Sequence, residues 1–177
     1  MLKTSLGDAL IWMETAETLY LKGTEKLNEY RGVRTHYPHV NKLNVAAVCA
    51  GYAFELALKV LVEAGGETRE FEHKASTAYQ QLIPGDREDV DRIIAKHGWH
   101  NPDEFLAYLD EHFCHRDRKY WMVSRKGGKA RGVFSMGGRK GMNALRKVHK
   151  ELSALALKKI NDSRLIYEEW LGIEQCI

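Results

Sequence analysis

Asn44 to Ala64 reads NVAAVCAGYAFELALKVLVEA, followed by Gly65-Gly66. This stretch decides the fold class. It is apolar almost all round, which places a helix in the middle of a bundle rather than on its surface. Ala46, Ala47, Ala50, Gly51, Ala53 and Ala57 are small, so neighbouring helices can approach closely. The Gly65-Gly66 pair is a preferred helix C-terminus. Glu55 and Lys59 interrupt the apolar surface at i, i+4, with the carboxylate N-terminal, the favourable order. A carboxylate within such a helix is costly unless paired. Glu55 therefore needs a basic partner: Lys59, or an Arg or His from elsewhere. Glu55, Lys59 and His73 are expected to form a structural polar set.

Working outward, the rest of the chain is helical in period, with no strictly alternating β-branched run. A first helix is expected over residues 6–29, capped by Ser5. Its apolar stripe is Ala9, Trp12, Ala16, Leu19, Gly23 and Leu27. Residues 30–42, with Gly32 and Pro38, read as a loop. Shorter helices follow at 73–83, stopped by Pro84-Gly85, and at 86–96. Asn101-Pro102 reads as an N-cap followed by proline at the first helical position, starting a helix that runs to about His115. Residues 124–141 hold six glycines, six basic residues and no acid, the composition of a flexible loop. A last long helix, residues 142–171, carries Leu145, Val148, Leu152, Leu155 and Leu157. The expectation is one all-α domain over residues 1–177, an antiparallel up-and-down helical bundle with a basic Gly-rich insertion before its final helix.

The 177 residues are enough for a sizeable core without disulfides. Cys49, Cys114 and Cys176 are odd in number and form no C-x-x-C, which argues against a disulfide framework and for a reducing compartment. The most apolar stretch contains Glu55 and Lys59, and the N-terminus lacks the pattern of a signal peptide. A cytoplasmic protein with no membrane partner is expected.

The net charge of +3 conceals an uneven distribution. Arg116 to Lys150 holds twelve Lys/Arg and one acid, Asp117, so this run carries +11 and the remainder −8. Clustered like charge costs self-repulsion that an anionic partner relieves, and phosphate is the commonest such partner. Arg116, Arg118, Lys119, Arg125, Lys126, Lys129 and Arg131 are the candidate phosphate ligands. Tyr120 is a candidate ring for base stacking.

Three elements resemble HEPN-type helical domains. AGYAFELALKVL at residues 50–61 is similar to the family's A-x-E-L-x-L-K-x-L element. HKASTAYQQL at 73–82 keeps the His, Tyr and last Leu of a second. FCHRDRKYW at 113–121 looks like a third, with Lys119 before the tyrosine. The resemblance implies a four- or five-helix bundle, often dimeric, and so a homodimer. It implies either a metal-independent endoribonuclease of toxin and defence systems, or a non-catalytic binder of nucleotides or RNA. A nucleotidyltransferase-type or other acidic protein partner, as in toxin–antitoxin pairs, is a third expectation.

The nuclease branch uses R-x(4–6)-H, in which the Arg would hold phosphate and the His would move a proton. Arg31–His36 and Arg92–His97 have that spacing. Near the FCHRDRKYW element the order is reversed, with His112 and His115 preceding Arg116 and Arg118. Arg92, His97, His112 and His115 are the catalytic candidates, and binding is the expected activity. Pairs such as His97/His100 and His112/His115 lack a second tight ligand pair, so no metal is expected. The glycines of the basic segment lack the Gly-Lys-Ser/Thr ending of a phosphate loop, and no cofactor is expected.

Overall fold

In the computed structural model, residues 2–29, 37–68, 73–113 and 138–170 are described, with side chains described over 2–25, 42–43, 45–68, 73–110 and 142–163. Six helices and no strand occur among them: α1 (Leu2–Glu29), α2 (Tyr37–Ala64), α3 (Ala75–Gln80), α4 (Pro84–Lys96), α5 (Pro102–Phe113) and α6 (Gly138–Trp170). The protein is all-α, its helices packed against one another.

Helix α2 is the hub. Ala46, Ala50, Ala53, Ala57, Phe54, Leu58 and Leu61 are all buried, and α1, α3, α5 and α6 pack around it. The Phe54 ring meets Phe105 of α5 edge-on at 5.6 Å and His149 of α6 edge-on at 5.5 Å, so one residue ties three helices together. By length and composition Val45–Ala64 could cross a membrane, but 72% of it is buried inside the bundle.

Pairings across helices give their directions. Trp12 stacks on Tyr52, the two lying nearly equally far in sequence from residues 30–36, so α1 and α2 are antiparallel. Lys96 and His97 meet Glu151, and Asp86 meets Lys159, so α4 and α6 are antiparallel. His149 reaches the Ala53 carbonyl and Ser163 the Ala64 carbonyl, so α2 and α6 run parallel. The bundle is therefore not antiparallel throughout, because α3, α4 and α5 intervene before α6 returns to α2.

Several boundaries differ from expectation. Helix α1 begins at Leu2, so Ser5 lies inside it and is not its cap; nothing between Leu2 and Ser5 breaks a helix. Helix α2 begins at Tyr37 within the expected loop, with Pro38 in the first turn, where its missing N–H leaves no bond unmade. Pro84 does not merely stop α3, which already ends at Gln80. It opens α4 with its fixed φ. Gly138 to Gly141 belong to α6 rather than to the basic loop. Met142 and Leu145 are buried and anchor that end. The rest of the expected insertion, 124–137, lies outside the described residues.

In α1, Ala9, Ala16 and Gly23 of the expected stripe are buried, Met13 and Tyr20 take the places expected for Trp12 and Leu19, and the Leu27 side chain lies outside the described residues. Leu6, Ala9, Met13, Ala16, Tyr20 and Gly23 are buried, whereas Trp12 is 40% exposed and Leu19 half-buried. On α6, Leu157 is exposed and Leu155 only partly buried, the inward face being Met142, Leu145, Val148, His149, Leu152, Ala156 and Ile160.

Two helix ends need glycine. Gly66 (φ +85°) donates to the Glu63 carbonyl while Glu67 donates to that of Val62. Gly98 (φ +92°) donates to Ala95 while Trp99 donates to Ile94. Both are Schellman closures, with glycine in the left-handed region. Gly66→Ala and Gly98→Ala should each destabilise by about 1–2 kcal/mol, the cost of a Cβ in that conformation, measured as a lowered urea midpoint at unchanged slope. Gly65 carries no such cost: it has no positive φ, and a Cβ there would meet atoms no closer than 3.4 Å.

Candidate functional site

Glu55, Lys59 and His73 do meet. Lys59 lies one turn after Glu55 on α2, and its Nζ donates to Glu55 Oε1 at 2.8 Å. His73, just before α3, places Nδ1 2.9 Å from the same oxygen. Glu55 and Lys59 are buried and the His73 side chain is 47% exposed, so a buried ion pair leads outward to a surface imidazole. Tyr52 lies beside it, ring centres 6.3 Å apart, and Trp12 stacks on Tyr52 at 5.7 Å. As built, the set fixes the segment before α3 onto α2.

The nuclease candidates are separated. Arg92 is exposed and pairs with Asp89 on its own helix. His97, five residues on, is mostly buried and turns to α6, where its Nε2 lies 2.8 Å from Glu151 Oε1; Lys96 holds Oε2 of the same carboxylate at 3.0 Å. Lys96 first, then His97, holds the Glu151 carboxyl below its usual range. Arg92 and His97 thus engage different carboxylates. His112 lies in the last turn of α5, in a part of the helix whose side chains are not described. Arg31, His36, His115, Arg116, Arg118, Lys119, Tyr120, Arg125, Lys126, Lys129 and Arg131 fall outside the described residues.

Of the cationic run, residues 142–150 can be followed side chain by side chain. Arg146 reaches Glu17 of α1 at 3.3 Å. Lys147 and Lys150 are exposed and form no ion pair among the described residues.

Other polar groups carry no motif. Asp110 of α5 caps α3 from a distance: Ala75 N–H donates to its Oδ1 at 2.8 Å, and the Ser76 hydroxyl donates to Oδ2. This replaces a local cap, which the Lys74 side chain does not supply. The Tyr79 hydroxyl donates to Asp91 at 2.7 Å, and Arg87 lies over the Tyr79 ring while donating to the Gln80 and Leu82 carbonyls. Burial first, then the Asp91 carboxylate, pushes the Tyr79 phenol up. Asp86 is sealed from solvent against Lys159, whose ammonium it holds above the usual lysine value. His149 is buried on α6, and burial lowers its pKa to about 4. One turn on, the Ser153 hydroxyl is buried with no hydrogen-bond partner among the described residues. Burial also pushes the Cys49 thiol up, away from a reactive thiolate.

Among the described residues no three His, Cys, Asp or Glu side chains converge as metal ligands. Neither a scan of protein-family models nor searches of characterised proteins and of solved structures return a match.

Proposed function

We propose that this protein binds RNA or a nucleotide through phosphate contacts made by its cationic run, Arg116 to Lys150. The observation that carries the reading is charge without counter-charge. Twelve Lys/Arg stand against one acid in that run, and of the three cations with described side chains only Arg146 has a carboxylate partner. Clustered cations on an otherwise acidic chain are relieved by a polyanion, which exchanges its condensed counterions for them. The resemblance to HEPN-type domains points the same way, toward a non-catalytic, HEPN-like cytoplasmic homodimer. Arg92 and His97 supply no observation favouring the nuclease branch.

The test is an RNA titration at several salt concentrations. Six phosphate contacts to a single strand should give a log–log slope near −4, from about −0.7 per contact. Changing Arg125, Lys126, Lys129 and Arg131 to Ala should make the slope shallower. A flat salt response, or one these changes leave untouched, defeats the reading.

A further inference from the structure

Three rings from three segments form one row where α1, α2 and the start of α3 meet. Trp12 of α1 stacks on Tyr52 of α2 at 5.7 Å, and Tyr52 lies 6.3 Å from the His73 ring. Both ends of the row open to solvent: Trp12 is 40% exposed and the His73 side chain 47%. Helix α1 buries Met13 and leaves the larger ring beside it at the surface. The His73 end is fixed from below. A carboxylate only accepts, so His73 Nδ1–H donates to Glu55 Oε1 at 2.9 Å, and Lys59 Nζ donates to the same oxygen at 2.8 Å. A buried ion pair adds little stability over an apolar pair of similar volume. What Glu55 and Lys59 supply that two apolar residues would not is an imidazole held in one orientation at the surface. Rings set before a ligand arrives lose less freedom on binding it.

A row of exposed, oriented rings suits a flat, unsaturated ligand. Asp8, one turn before Trp12 on the same face of α1, is exposed. Its carboxylate opposes a phosphate at that end of the row but not an uncharged nucleobase. Cations for the phosphate lie elsewhere on the same helix: Arg146, within the cationic run, meets Glu17, five residues along α1 from Trp12 and on its other flank, a rise of about 7–8 Å. We propose that Trp12, Tyr52 and His73 form a stacking platform for a base of the RNA or nucleotide whose phosphates the cationic run holds. Every base has a π-face, so such a platform adds affinity without reading sequence. This inference rests on the nucleic-acid reading above and adds to it a contact that carries no charge.

The probes are a short single-stranded RNA and an abasic strand with the same phosphates, each titrated at several salt concentrations. The intact strand should bind the parent protein at least about fivefold more tightly than the abasic one, the low end for one stacked base. Trp12→Leu should weaken the intact strand by about 5- to 100-fold, and His73→Ala should weaken it less. Neither should change the affinity of the abasic strand. The salt slope should stay where it is in both variants, since no phosphate contact is lost. Ile11→Ala trims the more exposed apolar side chain next to Trp12 but removes no ring, and should change nothing. Urea midpoints show whether each variant is folded; should Trp12→Leu fail to fold, His73→Ala, at a half-exposed ring, decides. The proposal is overturned if the parent binds both strands alike, or if the folded ring variants keep the parent's preference for the intact strand. Either result, obtained with a steep salt slope, leaves the cationic run standing as the binding surface. If neither strand binds the parent protein, both readings fall.

Discussion

Replacing Glu55 by leucine should destabilise the protein by about 3–5 kcal/mol, the usual cost of removing one member of a buried ion pair. The Lys59 side chain is only 8% exposed, and its ammonium is held by Glu55 Oε1 at 2.8 Å. Leucine fits the apolar surroundings but leaves that ammonium buried without a counter-charge, and it removes the contact of Glu55 with His73. The expected readout is a large fall in urea midpoint. The double change Glu55→Leu with Lys59→Met then separates charge from packing. A hydrophobic pair of similar volume is often neutral or stabilising where a single deletion is not, so the double variant should recover most of the loss. A single variant within about 1 kcal/mol of the parent would instead place the pair in effective contact with water, since exposed pairs are worth no more than that.

This expectation shows what the sequence could carry. Glu55 and Lys59 on an otherwise apolar helix, one turn apart, announce a buried pair by their spacing alone. The small residues of α2 announce close packing in the same way. What they could not settle is which diagonal of α1 meets them. Residues 9, 12, 16, 19 and 23 and residues 6, 9, 13, 16, 20 and 23 are both mostly apolar, and both repeat at three and four. The choice is made by the partner. The alanines of α2 admit close approach, Met13 and Tyr20 turn inward, and Trp12 moves to the rim and stacks on Tyr52. That is a decision of tertiary packing, absent from either helix alone. The prolines show the same limit. A missing N–H ends one helix and suits the start of the next equally well, so Pro38 and Pro84 could be read as breaks but not as beginnings.

The site was less legible than the fold, for physical reasons. Spacing between Arg92 and His97 resembles a motif, but five residues along a helix turn two side chains to different faces, one toward Asp89 and the other toward Glu151. Asp110 caps α3 from 35 residues away, a contact no local pattern encodes.

His149 leads to the second large expectation. It occupies a core position, in step with Leu145 and Leu152, and a signal was present in that spacing. Val148 beside it is equally buried and more apolar, and draws the eye first. The ring packs edge-on against Phe54, with Nε2 3.2 Å from the Ala53 carbonyl, an arrangement in which the neutral imidazole donates to that oxygen. Burial, only partly opposed by this bond, lowers its pKa from 6.5 to about 4. The sign follows from proton linkage. Between these two values the unfolded chain holds a proton that the folded chain refuses, so stability falls as pH falls through this window. Above pH 6.5 the contribution is intact, and below about 4 no more is lost. The difference, at 1.36 kcal/mol per unit, comes to about 3 kcal/mol. His149→Gln offers an amide N–H in place of the imidazole and does not titrate. Other groups, Glu151 among them, titrate alike in both proteins and cancel in the comparison. Parent and variant stabilities, taken from urea unfolding between pH 7.5 and pH 4.5, should therefore converge or cross as the pH drops. A gap that stays constant across that range would mean that His149 binds its proton equally well in the folded bundle, and that the core around Phe54 admits water.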